Sequence, residues 1–113
     1  MRHSPAELMA RREITRVLSM LPANLRAEAD QCVIELCDAE ADLLGLFEGL
    51  ARHEGTPQSP DDLPRIRLFI ATIWDYTDRD PQAFREEIRI TLLHELGHYL
   101  GLDEAQVAAL GLA

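Results

Sequence analysis

The chain has 113 residues, with 20 Asp and Glu against 11 basic residues and a net charge of −9, so it is read as one small domain, 1–113, with a single core and no deep two-lobed cleft. All the basic residues are arginine and they are outnumbered, which argues against a duplex-binding face and leaves nucleic acid outside the expected partners. No apolar run approaches a bilayer span and Met1-Arg2-His3-Ser4-Pro5 lacks a signal-peptide core, so no membrane partner is expected and the cytoplasm is the expected compartment.

Ser4-Pro5-Ala6-Glu7 reads as a capping box with proline at the first helical position, and Leu8, Ile14, Val17, Leu18 and Leu21 follow at helical spacing. The first helix is expected from Pro5 to Met20, ended by Pro22. A short helical or turn segment over Asn24–Asp30 leads to Cys32-Val33-Ile34-Glu35-Leu36-Cys37, a compact β-type run. The two cysteines fit neither a metal knuckle nor a redox pair and are read as buried small hydrophobes. Leu43–Leu50 is apolar but carries Gly45 and Gly49, which suggests an extended loop or irregular strand. Gly55–Asp62 is the most loop-like stretch, and Arg65-Ile66-Arg67-Leu68-Phe69-Ile70 starts with alternation and ends apolar, as a strand bordering a core does. Asp80-Pro81-Gln82-Ala83 then opens a long helix to about Leu100, with Asp80 as N-cap. The order is helix, strand, loop, strand, helix: an α+β fold with a small sheet packed on the long C-terminal helix.

That helix carries His94-Glu95-Leu96-Gly97-His98, the HExxH pattern. Successive helical residues step about 100°, so two histidines four apart share one face and can reach one ion. Ile88, Leu92, Leu96, Tyr99 and Leu100 fall on the opposite side, so the histidines face away from the buried stripe. Glu95 flanks them, placed to touch an activated water as general base without being a ligand. Gly101 breaks the helix, after which a carboxylate can return as third ligand. Asp103 and Glu104 compete for that role. Asp103 reads as the N-cap of a closing helix with Gln106 completing a capping box, which leaves Glu104 to ligate. Two imidazoles and one carboxylate suit Zn2+ and leave a position for water, and the implied chemistry is hydrolysis.

The pattern HExxHxxGxx followed by an acid resembles the metzincin clan. Leu44–Gly49, Leu63–Ile66 and Arg85–Glu95 resemble the small bacterial zincin-like metallopeptidases, over roughly Cys32 to Leu112. The resemblance implies a minimal zincin-like domain with zinc as cofactor and a peptide or protein as substrate. It makes His94 and His98 metal ligands and Glu95 the general base, and it places Glu104 where the family usually has aspartate. The chain departs from full metzincins in having no methionine after the motif: Met1, Met9 and Met20 all precede it.

Tyr99 and Tyr76 are candidate donors to an oxyanion, with Tyr99 favoured as core. Trp74-Asp75-Tyr76 reads as an anchoring cluster, His53 as a solvated loop residue and His3 as terminal. Two other functions stay open: a non-catalytic or regulatory zinc-binding module, and a metal-dependent endoribonuclease. Ribonucleases with similar histidine spacing carry glycine in place of Glu95 and histidine in place of Glu104, and the acidic balance argues against RNA.

Overall fold

A computed structural model describes residues 4–39 and 42–111; His3 lies outside them. The elements are α1 (Pro5–Met20), α2 (Ala23–Ala29), β1 (Val33–Cys37), β2 (Gly45–Glu48), β3 (Arg65–Phe69), α3 (Ile70–Tyr76), α4 (Pro81–Leu100) and α5 (Glu104–Ala108). Short 3-10 turns lie at Arg52–Glu54 and Pro60–Asp62. Both long helices have the limits their capping residues predict. Ser4 accepts from the Glu7 N–H at 3.1 Å, and the Asp80 carboxylate accepts from the Ala83 N–H at 2.8 Å.

The sheet is small and mixed, in the order β1-β3-β2. β3 runs parallel to β1, with Glu35 opposite Arg67, and antiparallel to β2, with Phe47 opposite Ile66. Alternation along β3 sends Ile66 and Leu68 inward, where both are fully buried. Arg65 and Arg67 point to the other face and pair across the strands with Glu35 and Glu48, each closest contact at 3.1 Å. The inner face packs on α4, whose Phe84, Ile88, Leu92 and Leu96 are sealed from solvent, and α1 covers the same helix with Ala10, Ile14 and Val17. Each sealed aliphatic side chain contributes about 1.5–3 kcal/mol relative to exposure. That packing fixes the rotation of α4 about its own axis.

Two expectations change and one open reading is decided. Of the two readings of Leu43–Leu50 the strand holds: β2 is an edge strand, made possible because Gly45 lets the backbone lie against α4. Ile70 does not end β3 but begins α3, a helix the sequence reading lacks; Ile70-Ala71-Thr72-Ile73 is apolar and β-branched, and tertiary packing overrides its strand character. Trp74 on that helix anchors it as expected, meeting Phe84 edge to face at 5.3 Å. Cys32 is buried and its thiol pKa is pushed up to about 12 by burial, whereas Cys37 is only partly buried. No helix among the described residues is long and apolar enough to cross a membrane.

Candidate metal centre

The motif residues inherit their positions from α4. With the leucine stripe held in the core, His94 and His98 project to solvent from the opposite side. Their rings stand edge to face, centroids 4.9 Å apart, as the four-residue spacing requires. One turn on, Gly101 adopts a left-handed conformation with φ 72 and stops the helix, while the Leu102 N–H returns to the Gly97 carbonyl at 2.9 Å.

Glu95 takes the intermediate direction and is only 8% exposed. It lies against β2 at Gly45, where a Cβ would stand 3.3 Å from Glu95 Cγ and 2.6 Å from Thr91 Cγ2. Burial raises the pKa of its carboxyl above the usual glutamate range, opposed by the positive charge that His94 and His98 can carry. A raised carboxylate pKa is what general-base work near neutral pH needs.

His98 stands between two clefts. On the β2 side a cavity of about 540 Å³ is lined by Leu46, Phe47, His53, Glu54, Glu95 and His98, among others. On the α5 side a more apolar cavity of about 450 Å³ is bordered by Ile90, Leu93, His94, His98, Asp103 and Glu104, among others. Both candidate third ligands therefore share a cleft with both histidines, and they differ in how they are occupied. Asp103 caps α5 as the sequence implied: its Oδ1 accepts from the Gln106 N–H, and Gln106 Oε1 accepts from the Asp103 N–H, each at 2.8 Å. Glu104 is the first residue of α5, exposed and outside that reciprocal pair. Among the described residues no group of three or more His, Cys, Asp or Glu side chains is gathered tightly enough to hold a metal ion. The pair of imidazoles with carboxylates beside them nonetheless matches the nitrogen and oxygen donors zinc prefers.

Of the tyrosines, Tyr99 is core, its ring 6.1 Å from Phe47, and burial raises its pKa. Tyr76 is 64% exposed on α3 and lines neither cleft.

His53, read from sequence as a solvated loop residue, is exposed, and the fold also brings it to the border of the β2-side cavity. Its turn is fastened to the end of α4: Ala51 is buried, its N–H donates to Glu54 Oε1 at 2.7 Å, and Arg52 Nε donates to the Leu100 carbonyl at 3.1 Å. The His53 ring consequently rests on Gly101, where a Cβ would stand 3.0 Å from Nδ1 and 3.3 Å from Cε1. Nothing in the polar stretch around His53 signals this. The only hint is the glycine one helical turn beyond His98, on the histidine face, which leaves room for a ring.

The sequence model of a family described as zincin-like metallopeptidase matches residues 23–112, from the start of α2 past the end of α5. A search of curated proteins finds no match.

Proposed function

Because the chain belongs to the zincin-like metallopeptidase family, we propose that it is a zinc-dependent peptidase whose metal is held by His94 and His98 with Glu104 as third ligand. When bound, the ion supplies a Lewis acid that acidifies a water and polarises a carbonyl. His94 and His98 would hold it from one helical face, with Glu104, which borders the same cleft, as third ligand. Glu95 takes the proton of the attacking water and passes it to the leaving nitrogen, a transfer favoured by the carboxyl's burial. The edge strand β2 lines the same cavity as Glu95, and an extended peptide pairing with it would lay its backbone past His98.

The observation that carries this reading is a buried glutamate beside two solvent-facing histidines with edge-to-face rings. Its test is cleavage of a peptide library by the zinc-loaded protein and by Glu95→Gln. The native protein should cleave, and the variant should retain zinc while losing about 10²-fold or more of the rate. Equal rates would exclude Glu95 as base. Zinc binding with no cleavage of any library member would instead select a zinc-binding module without turnover.

A further inference from the structure

Attack on a peptide carbonyl builds negative charge on its oxygen, and a preorganised N–H or O–H aimed at that oxygen is among the largest single contributions to such catalysis. Neither tyrosine on or near α4 is placed to give it, since Tyr99 is packed in the core and Tyr76 lines neither cleft. The side chains bordering the cavity on the β2 side are apolar or carboxylate, apart from His98 and His53. His98 is committed to the ion in the reading above, which leaves one imidazole.

We propose that His53 is a catalytic residue of this site, donating a hydrogen bond from its ring to the oxygen that gains charge as the peptide carbonyl is attacked. The inference rests on the peptidase reading of the same cleft. Two hydrogen bonds place the turn and one contact places the ring. Arg52 bonds to the Leu100 carbonyl, Glu54 closes the turn on the Ala51 N–H, and Gly101 offers a surface without a side chain on which the imidazole lies. The turn is therefore docked on the end of the motif helix, and His53 faces the cavity that Glu95 and His98 also border. Docking of the turn holds His53 beside the cavity before the charge develops, and a donor positioned in advance is the condition for a large effect. The role also accounts for a feature that helix termination alone does not require, the stacking of a histidine on the capping glycine.

The test uses zinc-loaded native protein, His53→Ala and His53→Gln. Each is titrated calorimetrically with N-phosphoryl-Leu-Ala amide, whose charged tetrahedral group copies the attacked carbonyl, and with N-acetyl-Leu-Ala amide, which lacks it. His53→Ala should bind the phosphoryl compound about 10²-fold more weakly, with zinc per chain and binding of the acetyl compound unchanged. His53→Gln, which keeps an N–H donor, should recover most of the loss. Equal binding of the phosphoryl compound by native and His53→Ala, equal weakening of both compounds, or loss of zinc from His53→Ala would each overturn the assignment, the last by making His53 a ligand. If native protein binds zinc but not the phosphoryl compound, the peptidase reading falls and this inference with it.

Discussion

Glu95, the proposed general base, shows at the scale of one residue how a buried carboxyl costs stability. Its carboxyl is buried beside Gly45, and burial raises its pKa. The folded protein thus keeps that proton to higher pH than the unfolded chain does, so the group favours folding at low pH and the benefit is lost as pH rises through the folded-state value. Once ionised, the side chain opposes the fold, and glutamine at this position escapes the cost. With the metal removed by a chelator, Glu95→Gln should melt above the native protein at pH 7, with the difference shrinking toward pH 4. A lower melting temperature at pH 7 would mean that the neighbouring histidines overcompensate the burial. Asp103 and Glu104, adjacent in the chain, should separate as cleanly. Asp103→Ala removes an N-cap with a reciprocal partner and should cost about 0.5–2 kcal/mol of stability while leaving zinc affinity little changed. Glu104→Ala should weaken zinc affinity with little effect on the metal-free fold. Reversal of the two phenotypes, measured by thermal melts and competitive zinc titration, would transfer the ligand role to Asp103.

Among the elements, those with explicit start and stop chemistry were legible from sequence. Pro81 behind Asp80 and Gly101 after Leu100 bound α4 on both sides, and Asp103 with Gln106 announces α5. The leucine stripe of α4 even fixes which way its histidines face. β2 was half legible, because Gly45 within it and Gly49 just after it look like loop signals until α4 is seen to press against Gly45. α3 was not legible, since a β-branched run directly after a strand has no local cue to turn helical, and only its packing through Ile73 and Trp74 decides it. Gly45 is where the edge strand and the motif helix meet, so Gly45→Ala should force them apart. A Cβ 2.6 Å from Thr91 Cγ2 has to displace either β2 or the Thr91 side chain, and overpacking of this kind costs about 1–3 kcal/mol. Thermal melts would register that loss. A variant as stable as native would show that β2 shifts freely on α4.

Taken whole, the molecule places its candidate site at the seam between one helix and the segments around it: β2 and the turn at Arg52–Glu54 on one side, α5 on the other. The motif half of this arrangement lies in a continuous stretch of sequence and could be read directly. The other half, His53 and β2, comes from upstream segments that only the fold brings to α4, and the strand order β1-β3-β2 that places β2 at the edge is carried by no local signal. The endoribonuclease alternative loses ground on the same scale, because the family match spans nearly every element and the surface carries a net charge of −9. Everything functional rests on the two histidines holding an ion together. The most direct measurement is therefore the zinc content of the purified protein and of His94→Ala, determined by elemental analysis after removal of loosely bound metal. About one zinc per native chain is expected, because one helical face presents both imidazoles, and substoichiometric zinc in the variant with its fold retained. Undiminished zinc in a folded His94→Ala would contradict this expectation.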